Sequence, residues 1–135
     1  MLKGIKHQFM AFRNGIVADA LRKAGYDYKV IFGLQLPQLS EIARSLTPSM
    51  QLACALWDDA EVRESRLLAC YLFPIEEVDL TRAKTLAMAV KNQEEGDILT
   101  FRLLRKLPFA SELKASLKDS GADAYVVKAL ERFDI

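Results

Sequence analysis

The stretch FGLQLPQLSEIA, residues 32–43, decides the fold, because it joins a glycine turn to the start of an amphipathic helix. Pro37 stands at a first-turn position, where its missing N–H leaves no helix hydrogen bond unmade. The apolar residues after it recur at i, i+3, i+4 and i+7, which is the spacing of one helix face: Leu39, Ile42, Ala43 and Leu46. The stretch therefore predicts a helix that begins behind Pro37 and packs along one side.

A second stretch, LWDDAEVRESRLLA at residues 56–69, contains the end of one helix and the start of another. Trp57 closes the first of these helices, and we expect it to be buried as an anchor between neighbouring helices. Asp59 is the expected N-cap of the next helix, which is apolar over much of its circumference. That helix is predicted to run through Leu72, to be largely buried and to be stopped by Pro74.

The same stretch carries the charged motif Arg-Glu-x-Arg. Arg63 and Arg66 lie one turn apart in a helix and therefore share a face, and Glu64 is placed to pair with a neighbouring side chain. Residues of this kind either contact a ligand or form a salt bridge between helical repeats. We favour the salt bridge.

The first third of the chain reads as one helix followed by the one long connection. A single apolar stripe predicts a helix that ends at Gly25, and its members are Ile5, Phe9, Phe12, Ile16 and Ala20. The connection covers residues 26–36. Its apolar side chains Tyr28, Val30 and Ile31 are expected to pack onto the domain.

The remaining helix boundaries follow from capping residues, turns and prolines. Thr47, ahead of Pro48, is expected to cap one helix, and Asp79 is expected to cap another. Residues 92–96 are predicted as a turn, with a helix over residues 98–107 after it. Two shorter helices complete the chain, and the last carries the apolar stripe Ala122, Tyr125, Val126, Ala129 and Phe133.

These patterns predict an all-α protein with a single domain over residues 1–135. About eight helices are joined by mostly short turns, and no segment shows the alternation of a strand. Antiparallel helix pairs stacked as an α-solenoid fit this pattern. A compact helical bundle fits it too, and periodicity alone does not separate the two.

Composition limits the chemistry that the chain can perform. The formal net charge is +1 and hydrophobic residues make up 51%, which is typical of a globular domain and excludes a strongly cationic nucleic-acid binder. Cys54 and Cys70 have no clustered ligand partners and the only histidine is His7, so we expect two reduced core cysteines, no metal site and no cofactor. Without a spanning apolar run or a signal-peptide core, the protein is expected to be cytoplasmic.

Together, residues 32–43 and 56–69 resemble the DNA-alkylation-repair proteins, a family of DNA glycosylases built from HEAT-like helical repeats. The resemblance covers approximately residues 30–107. It implies a HEAT-like or armadillo-like α-solenoid of stacked antiparallel helix pairs. It also implies that double-stranded DNA is the partner.

The family's catalytic pattern is Trp-Asp-x-x-Asp, and the matching stretch here is residues 96–100. Asp97 matches the first Asp. Gly96 stands where the Trp would be, and Thr100 stands where the second, catalytic Asp would be. A hydroxyl supplies only a dipole where the resemblance implies a full negative charge beside the sugar, so we expect weak or lost alkylpurine glycosylase activity around Asp97 and Thr100.

Four basic residues are the candidate DNA contacts. Arg102, Arg105 and Lys106 have the i, i+3, i+4 spacing of one basic helix face, which is typical of a phosphate-contacting helix. Tyr125 and Lys128 resemble the family's aromatic-x-x-basic element that clamps the DNA backbone, although Lys lacks the bidentate fork of Arg. The alternative is a non-catalytic helical-repeat module whose concave face binds a protein.

Overall fold

The computed structural model describes residues 1–121 and 124–135, and the regular elements of this part of the chain are helices joined by turns and loops. The prediction of an all-α protein is confirmed. The described residues form nine α-helices: α1 (Leu2–Ala11), α2 (Gly15–Lys23), α3 (Leu36–Arg44), α4 (Met50–Asp58), α5 (Arg63–Leu72), α6 (Leu80–Met88), α7 (Gln93–Arg102), α8 (Ala110–Asp119) and α9 (Ala124–Arg132). Two short 3-10 helices, Ile75–Glu77 and Leu104–Lys106, lie between them. Ala122, which the periodicity assigns to the last helix, lies outside the described residues.

The chain divides into two compact units, Met1–Leu72 and Phe73–Ile135. In the first unit α4 and α5 form a tightly packed pair, α3 packs on α5, and α1 touches α4. In the second unit α7 packs on α9, α6 on α8, and α8 also touches α9. Each unit has buried leucines at its centre, such as Leu67 in the first and Leu99 in the second.

The long connection before α3 packs onto the first unit, as predicted. Tyr28 and Ile31 are buried. The Val30 N–H donates to the Glu61 carbonyl at 3.0 Å, and the Arg63 N–H donates to the Val30 carbonyl at 3.2 Å. These two hydrogen bonds form an isolated parallel β-bridge between Val30 and Val62.

The prediction of one helix through Ala20 was wrong, because the chain breaks at Asn14. The Asn14 side chain accepts hydrogen bonds from the N–H groups of Ile16 and Val17, and so starts α2. An Asn side chain that bonds its own backbone competes with a continuous helix. As a result Phe12 and Ile16, which the stripe placed inward, are 44% and 84% exposed.

Two predicted N-caps were also displaced. Ser49, not Thr47, caps α4, and its hydroxyl accepts the Leu52 N–H at 3.0 Å. Asp59 is the C-cap residue of α4 and precedes α5 by several residues, so it is not the N-cap of α5. Its carboxylate accepts the Ser65 hydroxyl at 2.7 Å and pairs with a lysine of α1. All these alternatives are short polar side chains near a helix start, and tertiary contacts choose among them.

Other boundaries agree with the sequence prediction. Asp79 caps α6 by accepting the Arg82 N–H at 2.7 Å. Pro37 lies in the first turn of α3. α5 ends at Leu72, two residues before Pro74, and it is buried along nearly its whole length.

The boundaries of α7 differ from the prediction in a way that matters for the site. Asn92 caps it by accepting the Glu95 N–H at 2.9 Å, and the buried Glu95 carboxylate accepts the Lys91 N–H at 3.0 Å. Residues 92–96 are therefore a helix start and not a turn. α7 also ends earlier than predicted, at Arg102, because Leu103 leaves the helical conformation.

Candidate nucleic-acid interface

The Arg-Glu-x-Arg motif lies inside the first unit and ties the connection before α3 to α5. The Glu64 side chain is fully buried, and its two oxygens accept the N–H groups of Phe32 and Gly33, both at 3.0 Å. The Arg63 guanidinium donates to Glu64 at 2.7 Å and to the Leu34 carbonyl at 2.9 Å. A buried charge of this kind is tolerated because it is both paired and hydrogen-bonded.

Gly33 is required at this junction. Its φ is +90°, a left-handed conformation that favours glycine, and a Cβ atom built there would lie 2.2 Å from the Asn14 carbonyl oxygen. The Asn14 N–H in turn donates to the Phe32 carbonyl at 2.8 Å. The glycine therefore allows the connection to lie against the start of α2.

Arg66, the second arginine of the motif, packs on the ring of Trp57. The guanidinium carbon of Arg66 lies 3.7 Å from the centroid of the Trp57 ring, and Arg66 donates to the Trp57 carbonyl at 3.0 Å. Trp57 is buried, as predicted. Both arginines of the motif are buried within one unit, so they hold the fold and present no charge to a ligand.

The second unit brings together α7 and α9, which carry the predicted catalytic residues and Lys128. A Cβ atom at Gly96 would lie 3.0 Å from the Cβ of Tyr125, so the two helices touch closely at this point. The Gln93 amide spans the same contact and donates to the Tyr125 carbonyl at 3.0 Å. No tryptophan fits at position 96, where the resemblance placed one.

Thr100 lies one turn after Gly96 and faces the same side of α7. Its side chain is fully buried, and its hydroxyl has no hydrogen-bond partner among the described residues. A buried, neutral group of this kind has no access to the sugar of a bound nucleotide. Gly96 and Leu99 of α7 are buried as well, so Thr100 belongs to the inward side of the helix.

Asp97 lies on the solvent side of α7 and is engaged by two neighbours. Its carboxylate accepts the Gln93 amide at 2.8 Å and pairs with the Arg132 guanidinium at 3.0 Å. The Asp97 side chain is 37% exposed. A carboxylate that is already paired with a guanidinium has less charge to offer to a developing cation than an unpaired one.

The predicted basic face is not one face of an α-helix. Arg102 is the last residue of α7, whereas Arg105 and Lys106 belong to the 3-10 helix that follows, where side chains repeat every three residues. Arg105 and Lys106 are exposed, and Arg102 is half-buried. Lys128 is exposed on α9.

Arg105 is fixed at the surface by two aromatic rings. Its Nε donates to the Phe101 carbonyl at 2.8 Å, near the end of α7. Its guanidinium carbon lies 4.6 Å from the Phe101 ring centroid and 5.4 Å from that of Phe133. Arg102 lies 5.3 Å from the Phe101 centroid. We call Phe101, Arg102, Arg105 and Phe133 the arginine–aromatic patch.

The two rings of the patch were missed by the sequence reasoning. Phe101 and Phe133 are 41% and 38% exposed, and their centroids are 5.9 Å apart with 39° between the ring planes. A signal was present, since each phenylalanine adjoins an arginine at the end of a helix, Phe101 before Arg102 and Phe133 after Arg132. Phe133 had instead been assigned to the inward stripe of the last helix.

Two surface pockets of the structure are lined by residues outside α7 and α9. A surface pocket of about 650 Å³ in the first unit lies between α1 and α4, and leucines and hydroxyl groups line it without any ionisable side chain. Within residues 1–121 and 124–135, no group of three or more His, Cys, Asp or Glu residues could hold a metal ion. No helix in the described part of the chain is long and apolar enough to cross a membrane.

Comparison of the chain with protein-family models, with curated proteins and with solved structures finds no match. The resemblance to the DNA-alkylation-repair proteins therefore rests on the residues quoted for it.

Proposed function

We propose that this chain is a HEAT-like protein of the DNA-alkylation-repair type, which contacts double-stranded DNA and has lost alkylpurine glycosylase activity. The observation that carries the proposal is the surface formed by α7, the 3-10 helix Leu104–Lys106 and α9. It holds the exposed basic residues Arg105, Lys106 and Lys128 around a scaffold of two tightly packed helices.

The packing of alternate helices supports a solenoid arrangement. In the second unit α6 packs on α8 and α7 on α9, and in the first unit α3 packs on α5. α7 and α9 run in the same direction, because Gly96 meets Tyr125 near their starts and Phe101 meets Phe133 at their ends. Helices two apart in sequence that lie parallel are typical of stacked helix pairs.

Arg105 is suited to a phosphate contact because its position is set before any ligand arrives. One of its five N–H donors is used by the Phe101 carbonyl, and the rings of Phe101 and Phe133 support the guanidinium. A guanidinium held in this way loses little side-chain entropy on binding. Charge-assisted bonds to phosphate oxygens are among the stronger hydrogen bonds in proteins.

The loss of catalysis is supported by the surroundings of Asp97 and Thr100. Thr100 is buried and neutral, and Asp97 is paired with Arg132. Neither residue supplies an unpaired carboxylate for the departing alkylpurine. We expect no release of N3- or N7-methylpurine from alkylated duplex DNA in an excision assay, before or after the change Asp97→Asn.

Salt-dependent DNA binding tests the proposal. The wild type should bind a fluorescent duplex with an affinity that falls steeply as salt rises, because each neutralised phosphate releases condensed counterions. The double variant Arg105→Glu/Lys106→Glu should lose about tenfold or more in affinity, and its salt slope should fall by about two. The control Lys3→Glu/Lys23→Glu makes the same change in net charge at exposed lysines of the first unit. Binding that is insensitive to salt, or an equal loss in both double variants, would contradict the proposal.

A second candidate function is protein binding by the same surface. The observation that favours it is the exposure of Phe101 and Phe133 beside arginines, since aromatic residues and arginine are enriched in protein interfaces. The net charge of +1 agrees with such a role. Absence of duplex binding even at about 50 mM salt, where phosphate contacts are strong, would favour this candidate.

A further inference from the structure

We infer that the arginine–aromatic patch stacks against unpaired bases, so that DNA with an unpaired segment is the preferred ligand. This inference rests on the proposed function, because it names the form of DNA that the same surface takes. The two rings are neighbours in space, and each is more than a third exposed. Single exposed apolar residues are ordinary, but two adjacent rings bordered by guanidinium groups form a shaped surface.

The rings are held by the α7–α9 contact. The close approach of Gly96 and Tyr125 fixes the helix starts, and the pair between Asp97 and Arg132 joins the helices further along. Phe101 lies in the last turn of α7, and Phe133 follows directly after α9. The two rings of the arginine–aromatic patch are therefore pre-organised, and a ligand does not have to order them on binding.

The chemistry of the patch matches a base more closely than it matches a phosphate alone. Aromatic rings and guanidinium planes both stack on the flat faces of bases, and nearby positive charge attracts the backbone of the same strand. Bases inside a perfect duplex have both faces covered by their neighbours. Only unpaired bases, as in a bulge or a single strand, can place a face on Phe101 or Phe133.

The charges around the patch agree with a nucleic-acid strand. Arg102, Arg105 and Lys106 are basic, and the Asp97 carboxylate is paired with Arg132. Asp134, directly after Phe133, is the acidic neighbour in sequence. The net charge of the residues at the patch is positive, although the net charge of the whole chain is only +1.

Three fluorescent DNA probes of one sequence test the inference by anisotropy: a single strand, a perfect duplex and a duplex with a three-base bulge. The wild type should bind the bulged duplex about tenfold more tightly than the perfect one, which is the contribution expected of one stacked base. The change Phe101→Leu keeps an apolar side chain and removes the ring, so it should reduce this ratio to about one. It should weaken binding of the perfect duplex by a smaller factor than binding of the bulged duplex, because Arg105 loses one supporting ring but keeps its bond to the Phe101 carbonyl and its contact with the Phe133 ring.

Phe12→Leu is the matched control, because Phe12 is 44% exposed and lies in the first unit. It should change neither affinity. Phe133→Leu gives a second variant should Phe101→Leu not fold, as judged by its circular dichroism. With 2-aminopurine in the bulge, stacking should change the base fluorescence on binding the wild type, and Phe101→Leu or Phe133→Leu should reduce that change.

The outcomes separate the inference from the proposed function. Equal affinity of the wild type for the bulged and perfect duplexes would overturn the inference and leave duplex binding in place. A preference that survives both phenylalanine changes would overturn it as well, because the rings would not be its source. Failure of all three probes to bind would refute the proposed function together with the inference.

Discussion

Replacing Glu64 with glutamine is expected to destabilise the first unit strongly, because this carboxylate joins the connection before α3 to α5. In the native protein it is fully buried, accepts the N–H groups of Phe32 and Gly33 and pairs with Arg63. Glutamine has nearly the same shape. It offers one oxygen and one NH₂ group in place of two negatively charged oxygens.

The magnitude follows from what the substitution leaves unpaired. All three groups that surround the two oxygens are donors, so the new NH₂ group faces at least one donor and satisfies none. A buried donor without a partner costs about 1–3 kcal/mol. Arg63, only 4% exposed, keeps its charge and loses its pairing with the Glu64 carboxylate, and breaking a buried pair costs about 3–5 kcal/mol. These two contributions overlap, and we expect a loss of about 3–5 kcal/mol, a large share of the roughly 5–15 kcal/mol that stabilises a typical domain.

Urea unfolding followed by tryptophan fluorescence measures this loss. Trp57 is the single tryptophan of the chain, and it is buried in the same unit as Glu64. Its signal therefore reports on the unit that the substitution perturbs. The control is Glu61→Gln, because the Glu61 carboxylate is 72% exposed and lies 3.9 Å from an equally exposed Lys29. An exposed pair of this kind contributes little, so the control should shift the free energy of unfolding by about 0.5 kcal/mol or less.

The result that would refute this reasoning is a Glu64→Gln protein within about 1 kcal/mol of wild type, the size of one ordinary net hydrogen bond. Such a result would mean that the connection before α3 is held by apolar contacts alone. A control loss as large as that of Glu64→Gln would show that the effect comes from overall charge and not from burial.

Two further predictions concern backbone space and an unpaired hydroxyl. Gly33→Ala should cost about 2–4 kcal/mol by Trp57 fluorescence, because its Cβ would overlap the Asn14 carbonyl oxygen in addition to the strain of a positive φ. Gly25→Ala, with a positive φ and open space around the added Cβ, should lose less, and equal losses would contradict the overlap. Thr100→Val should unfold at the same or a higher temperature than wild type by circular dichroism, because its buried hydroxyl makes no hydrogen bond to any residue that the structure describes. A fall of more than a few degrees would show that this hydroxyl has a partner.

The helical class of the protein follows from the sequence because the signal is local and repeated. The apolar spacing after Pro37 predicts α3, and Asp79 and Pro74 mark real boundaries. The predicted helix boundaries were wrong where several possible capping residues lie close together in the sequence. Ser49 replaced Thr47, and Asn14 interrupted a stripe that looked continuous.

The candidate site was predicted only in part, because its geometry depends on where α7 begins and ends and on which side of α7 faces the core. The packing of α7 on α9 accompanies a fully buried Thr100 and a partly exposed Asp97 that pairs with Arg132 of α9. The end of α7 at Arg102 likewise moves Arg105 and Lys106 onto a 3-10 turn. The side of a helix that faces the core depends on its contacts with other helices, and its bounds depend on its capping residues. The spacing of apolar residues alone does not predict either of them.

The sequence by itself determined that the chain forms helices, that the connection before α3 packs inward and that α5 is buried. It did so because apolar periodicity and prolines act over a few residues. The tertiary structure decided what the charged and aromatic residues do. Glu64 meets Gly33 across thirty-one residues, and Phe101 at the end of α7 meets Phe133 just after α9. Burial and exposure at these positions depend on which segments the fold brings into contact. A local sequence pattern carries no information about contacts between segments so far apart in the chain.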